Sequence, residues 1–296
     1  MMLKRVPIGL LTALCISNSV SADEYKFTLG AFYANTDSTM LVKSARDTGN
    51  YYLLDFEDDL LLTEDQFLPF FEFRYHFKDR HNIYLDWKSL HRDAETPQLG
   101  FDIEIPEFGD NDQNYLIDGS ATISTTLNID ILRLGYGYDI WQGEQYFVGA
   151  SIGIHTMFVE TIFEGNISLC EGHSDPNSLC DTTTFTPKVV DNAITAPLPN
   201  IGLYGNYEFY PGWTFGAHVQ YFAIKYDNFK GSLVDIRAGV QAKISDNWQL
   251  ALAYNYYDVD VDIEQSRSIL DEEYRTLDYN INYGFTGPMF AVSYRF

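Results

Sequence analysis

Two histidines, His155 and His218, are the side chains of this sequence best suited to acid–base chemistry. An imidazole can act as a general base when a nucleophile and an orienting group converge on it. Ser151 and Glu160 share the predicted strand of His155, but spacing alone brings neither group onto the ring. A single inward histidine is more often a hydrogen-bonded interior residue. The two readings, catalytic base and interior side chain, stay open, and the sequence favours a protein that is not an enzyme.

Carboxylates form the second group of side chains that could do chemistry. They cluster in "DFEDDLLLTED", "FGDNDQN", "DVDVDIE" and "LDEE", and Ca²⁺ and Mg²⁺ prefer oxygen ligands. Asp258, Asp260 and Asp262 would share one face of a strand, which makes a weak divalent-cation site. The spacing lacks the glycine turn of an EF-hand loop, and the alternative is a solvated acidic surface. No other cofactor is expected.

The charge balance limits the partners. The formal net charge of the 296-residue chain is −23, whereas a nucleic-acid-binding protein needs a basic patch. The sequence contains no glycine-rich phosphate loop, no HExxH and no CxxC pair. We therefore expect no nucleic-acid partner, and any extracellular ligand has to be inferred from the structure.

Residues 1–22 have the pattern of a secretory signal peptide. Lys4 and Arg5 precede the short apolar run "IGLLTALCI". The segment "SVSA" follows, with small residues at Ser21 and Ala22, and cleavage is expected after Ala22. The run is shorter than the ~20 residues that a spanning helix requires. Removing this segment leaves Cys170 and Cys180, and a close pair in an exported chain predicts a disulfide. A loop of about ten residues makes such a bond worth roughly 2–3 kcal/mol.

The mature chain alternates apolar and polar residues with a period of two, which indicates β-strands. In "WTFGAHVQYFA", "VDIRAGVQAKI" and "WQLALAYNY" one face is apolar and the other is polar or very small. After residue 22 no apolar run approaches 18 residues, which excludes a helical membrane protein. The alternation fits either a soluble sandwich or a transmembrane barrel. Terminal Trp and Tyr residues on the apolar faces and the long strands favour the barrel.

Tight turns divide the chain into hairpins. "FKDRHN", "WQGEQ", "FYPGW" and "ISDNW" lie near residues 79, 143, 211 and 246. Outer-membrane barrels have short periplasmic turns, long external loops and an even strand number. Five hairpins then predict an all-β, up-and-down antiparallel barrel of ten strands in one domain, 23–296, with twelve or eight strands as alternatives. The external loops are expected near 35–65, 93–118, 163–195, 227–232 and 260–284.

Charged residues of both signs occupy the inward positions of these strands. The seven that define the predicted interior charge network are Glu72, Arg74, Asp86, Lys88, Arg133, Asp235 and Arg237. Such a network either plugs a closed interior by salt bridges or lines a narrow path for small solutes. The sequence does not decide between the two.

The chain ends in "FAVSYRF", with Tyr294 and Phe296 in the apolar phase of the last strand. With the signal peptide, the alternating strands and the tight turns, this ending resembles the Gram-negative outer-membrane β-barrel proteins. The resemblance implies location in the bacterial outer membrane and contact with its lipids and lipopolysaccharide. It also implies that Tyr294 and Phe296 form the signal read by the barrel assembly machinery during insertion.

The resemblance leaves the function open among three hypotheses. The first is a surface-exposed structural or binding barrel with a plugged or narrow lumen and acidic loops. The second is a porin-like channel for small solutes. The third is a barrel enzyme at the outer rim, a lipid or peptide hydrolase, since the class includes omptin proteases, phospholipases and lipid A-modifying enzymes that use His with Asp, Glu or Ser.

Overall fold

The computed structural model describes residues 23–44, 51–106, 114–170, 184–226, 229–269 and 272–296, with backbone only for a few positions beside the gaps and for most of 262–279. The predicted signal peptide and Cys180 lie outside these residues. Among them, no helix is long and apolar enough to cross a membrane. The strands are β1 (Glu24–Ser44), β2 (Tyr51–Asp55), β3 (Asp65–Phe77), β4 (His81–Thr96), β5 (Ile103–Pro106), β6 (Asn114–Ile117), β7 (Ile123–Gln142), β8 (Tyr146–Cys170), β9 (Thr186–Tyr210), β10 (Trp213–Tyr226), β11 (Phe229–Lys243), β12 (Trp248–Ile269) and β13 (Glu272–Arg295).

Ten of these strands form a closed antiparallel barrel, which confirms the predicted fold. β1, β3, β4 and β7–β13 each pair with the next member of the set. β13 then pairs with β1 from Lys26–Arg295 to Met40–Ile281 and closes the ring. A closed sheet leaves no unpaired edge towards lipid, where an unsatisfied backbone group is costly.

Four short connections and both described termini lie at one end of the barrel. The connections span residues 78–80, 143–145, 211–212 and 244–247, between the strands that the sequence predicts to form neighbouring hairpins. Gly212 has a φ of 78°, a left-handed conformation that glycine adopts without steric cost. Tyr25 and Phe296 exchange two backbone hydrogen bonds of 3.0 Å. This end is therefore the periplasmic end of a barrel of this class.

A belt of exposed apolar side chains surrounds this half of the barrel. On β12, for example, the outward residues Trp248, Leu250, Leu252, Tyr254 and Tyr256 are all about half exposed. Aromatic residues also flank the belt on other strands. The belt ends where outward positions become polar, at Asp65, His91, Asp130, Asp258 and Asn282. Its height of about ten residues per strand matches a tilted transmembrane strand.

The strands continue well beyond this belt, and in this respect the structure differs from the predicted loops. Most of the expected loops at 163–195 and 260–284 is strand, since β8 runs to Cys170 and β12 to Ile269. Backbone N–H and C=O groups of neighbouring strands can pair whatever side chains they carry. The hydrogen-bonded strands can therefore continue after the apolar alternation stops. β2, in the segment that could have added a further strand pair, pairs only with the outer end of β1.

Residues 56–62, here called the mouth segment, fold over the outer opening of the barrel. Phe56, Leu60 and Leu62 are buried and pack in the same core as side chains from the barrel wall. Arg92 of β4 fixes the segment by an ion pair with Glu57. The external end of the barrel is therefore packed and partly covered.

Candidate functional site

An ion-pair layer crosses the middle of the lumen. Arg133 of β7 donates from Nε to Asp86 Oδ2 on β4 at 2.6 Å and from Nη1 to Asp235 Oδ2 on β11 at 2.9 Å. Arg133 also donates to Gln220 of β10 at 2.6 Å. β7 and β11 are four strands apart in the ring, so the guanidinium bridges opposite walls. A planar guanidinium suits such multiple carboxylate contacts.

Lys88 completes the layer from β4. Its Nζ lies 3.9 Å from Asp235 Oδ2 and 3.4 Å from Asn255 Oδ1. Asn255 in turn donates to Asp235 Oδ1 at 2.8 Å. Arg133, Lys88, Asp86 and Asp235 are at most 4% exposed. Two cations therefore face two carboxylates in a dry interior, where each charge needs its partners.

The remaining three predicted charges form a second group on the periplasmic side. Glu72 of β3 accepts from Arg74 at 3.3 Å and from Arg237 of β11 at 3.1 Å. Beside them, Lys26 donates to Gln241 at 2.8 Å. All seven predicted interior charges thus point into the lumen and form two adjacent groups linked through β11. A cavity of about 130 Å³ adjoins the second group.

His155 is buried in the lumen, but the groups that could make it a catalytic base do not converge on it. Its Nε2 lies 2.7 Å from the Tyr257 hydroxyl, and the two rings are stacked. Its Nδ1 has no hydrogen-bond partner among the described residues. Glu160 instead accepts from Asn128 at 2.6 Å, and Ser151 lies beside Gly202.

The other histidine candidate, His218, belongs to the ion-pair region. Its Nε2 lies 3.6 Å from Asp235 Oδ1, and its side chain also lines the periplasmic-side cavity. Asp235 is fully buried and already bound to Arg133 and Asn255. The Asp235 carboxylate therefore neutralises the cations of the layer, and it also faces the His218 imidazole.

A third histidine, His91, lies just above the belt on the outer surface, and the sequence did not single it out. Its Nε2 is 3.2 Å from Ser89 Oγ and 3.3 Å from Asp130 Oδ2. A relay from nucleophile to carboxylate uses both ring nitrogens, whereas here both partners meet the same nitrogen. The arrangement is that of exposed surface hydrogen bonds.

The outer half of the lumen contains a cavity of about 260 Å³ with a mainly apolar lining. Side chains from six wall strands line it, together with Phe56 of the mouth segment. Gln220 and Asn255, which hydrogen-bond to the ion-pair layer, could have been predicted from the sequence, because both occupy inward positions in alternating strands. The cavity and the Arg92–Glu57 pair could not, because they combine residues from distant strands with a predicted loop.

Asp258, Asp260 and Cys170 lie at or beyond the outer limit of the apolar belt. Burial, together with the charges of Asp260 and Asp37, raises the pKa of the Asp258 carboxyl. Asp260 accepts from Asn280 at 3.3 Å, and the Asp262 side chain is outside the described set. Across the side chains that are described, no group of three or more His, Cys, Asp or Glu could hold a metal ion.

Several sequence predictions concern features that the described residues do not contain. The divalent site, lipopolysaccharide contact and the Cys170–Cys180 disulfide stay predictions. The role of Tyr294 and Phe296 as the signal read by the assembly machinery also stays a prediction. In the structure, the ring of Phe296 stacks on Tyr25 and Phe27, and Tyr294 meets Trp248 edge-on. These contacts order the closing strand to its last residue.

Comparison with known proteins defines the fold only. No protein-family model matches the sequence, and no curated protein matches it. The outer membrane protease OmpT from Escherichia coli aligns with a TM-score of 0.55 at 11% identity, over 94% of this chain and 99% of OmpT. Ail from Yersinia pestis aligns with a TM-score of 0.31 at 10% identity, over 93% of this chain and 99% of Ail. The toluene transporter TbuX from Ralstonia pickettii aligns with a TM-score of 0.37 at 12% identity, over 93% of this chain and 89% of TbuX.

The closed ten-stranded ring, the apolar belt and the likeness to OmpT define the class. The chain is a transmembrane β-barrel of the Gram-negative outer-membrane type. At 11% identity the likeness shows this fold and no activity, so the function has to be argued from the lumen and the external end.

Proposed function

We propose that this protein is a closed surface barrel that binds ligands at its external end and does not conduct solutes. The observation that carries the proposal is the ion-pair layer across the lumen. Arg133 spans from Asp86 on one wall to Asp235 on the opposite wall. A solute crossing the membrane inside the barrel would have to displace these contacts.

The energetics of the layer support a closed lumen. The four charges balance, and Gln220 and Asn255 occupy further donor and acceptor positions. Removing a partner from a buried ion pair costs about 3–5 kcal/mol, because it leaves an uncompensated charge. Opening a path through the layer would carry a comparable cost at each broken pair.

The arrangement on the external side supports binding there. Outward of the ion-pair layer, the outer cavity is lined mainly by apolar side chains, which disfavour water and ions. The mouth segment packs over this region, and the wall rises beyond the belt on the long strands β8, β9, β12 and β13. Ligands and partners would therefore meet the protein at this end.

Planar-bilayer recording tests the proposal. The wild-type protein is expected to give no stepwise current. The double variant R133A/D235A removes the crossing contact but keeps the Lys88–Asp86 charge balance, and we expect it to give single-channel steps. The shift in gel mobility on heating verifies that both proteins are folded barrels. Reproducible steps from the wild-type protein would overturn the proposal in favour of a porin-like channel.

A further inference from the structure

We propose that the outer-lumen cavity is a binding site for a compact apolar molecule that carries one hydrogen-bonding group such as a hydroxyl. The site deepens the proposed binding function and rests on it, because the ion-pair layer forms the closed floor beneath the ligand.

The volume and the lining set the chemical class of the ligand. The cavity holds about 260 Å³ and is lined almost wholly by apolar groups, including Met40, Leu127, Met157 and Val259. An apolar protein cavity of roughly 150 Å³ stays dry and binds benzene. By simple scaling this cavity would accept about ten non-hydrogen atoms. Protein interiors contain few voids larger than a water molecule, so a void of this size is a feature to be explained.

Tyr283 supplies a polar anchor. It lines the cavity and is 2% exposed. Its hydroxyl oxygen is buried and has no hydrogen-bond partner among the described residues. A buried hydroxyl without a partner is unfavourable, and a ligand that bonds to it relieves this cost. The anchor therefore favours an alcohol or phenol over a pure hydrocarbon.

The described backbone pairing between β9 and β10 stops at the level of the cavity. β9 pairs with β8 along residues 186–207, whereas its described pairing with β10 ends at Ile201–Tyr221. Pro197 and Pro199 lie beyond that point, and proline has no N–H with which to continue the ladder. Thr195 and Pro197 also line the cavity. The ligand would thus reach the cavity through the side of the wall, near the outer limit of the belt.

The methionines of the chain provide a direct readout. Met1 and Met2 fall in the predicted signal peptide, which leaves Met40, Met157 and Met289. Met40 and Met157 line the outer cavity, whereas Met289 lines the cavity on the periplasmic side of the ion-pair layer. Carbon-13 labelling of the methionine methyl groups therefore distinguishes the two ends of the lumen in one NMR spectrum.

The experiment titrates 1-naphthol into the labelled full-length mature protein in lipid nanodiscs. We expect saturable shifts of the Met40 and Met157 methyl signals and an unchanged Met289 signal. Lipid nanodiscs without protein show the partitioning of the probe into lipid alone. Ala196→Phe fills the cavity and should abolish the shifts, whereas Ala193→Phe, on the exposed face of the same strand, should leave them intact.

A second variant tests the anchor. Tyr283→Phe removes only the hydroxyl, and we expect about a 2- to 10-fold loss of 1-naphthol affinity, the range of one hydrogen bond. Naphthalene, which has no hydroxyl, should bind the variant and the wild type equally.

Two results would overturn the site: no saturable shift of Met40 and Met157, or shifts that survive Ala196→Phe. Failure of the closed lumen is recognised separately, because it appears as wild-type current in bilayers whether or not 1-naphthol binds.

Discussion

Replacing Asp235 by Asn tests the ion-pair layer most directly. The substitution keeps the shape and an acceptor oxygen but removes one of two carboxylates that face two buried cations. Asp235 lies 2.9 Å from Arg133 and 3.9 Å from Lys88. At an effective dielectric constant of about 20 these attractions are about 6 and 4 kcal/mol. The variant no longer has to desolvate the carboxylate, which returns several kcal/mol. We therefore expect D235N to lose about 3–5 kcal/mol of unfolding free energy.

Urea unfolding of the barrel in lipid vesicles measures this loss. The chain has four tryptophans, all on the outward belt, so their fluorescence reports the change from lipid to water. D246N is the matched control, since Asp246 makes a 3.0 Å ion pair with Lys243 but is 95% exposed. Exposed pairs contribute little, and its transition should coincide with that of the wild type.

A compensating variant separates charge imbalance from lost shape. Lys88→Met in the D235N background removes the excess cation and leaves Arg133 paired with Asp86. We expect D235N/K88M to recover about 1–3 kcal/mol relative to D235N, the coupling typical of contacting residues. A D235N transition at the wild-type urea concentration, or an equal loss in D246N, would refute this account of the layer.

Three further predictions follow from single contacts. Gly30→Val should lower the unfolding free energy by roughly 1–3 kcal/mol, because a Cβ there would clash with the Phe290 backbone oxygen on β13. Outward Ala31→Val is the control, and equal transitions would contradict the reasoning. Arg92→Met leaves a buried carboxylate of the mouth segment without its cation, so proteinase K should cleave that segment faster than in the wild type, and an unchanged rate would contradict its role. Intact-mass analysis should find Cys170 and Cys180 two hydrogens short and unreactive to alkylation until reduction, whereas alkylation before reduction would contradict the disulfide.

The barrel could be predicted because each strand reports its own orientation. In β12, Trp248 to Tyr256 alternate with small or polar residues, and this local pattern fixes the inward and outward faces. The four tight turns then fix the hairpins. The outer ends of the strands could not be predicted from the alternation, because beyond Asp258 the outward face is polar like a loop while the backbone ladder continues.

The sequence by itself determined the class of fold and which charges enter the lumen, and it favoured ten strands over twelve or eight, since these follow from alternation and turns along the chain. Only the tertiary structure decided which charges pair. Arg133 meets Asp235 across four strands and 102 positions of sequence, and a period of two carries no information about opposite walls. The same reason hid the outer cavity, whose lining comes from six strands and the mouth segment. Closure of the ring creates these contacts, and they determine what the lumen can hold.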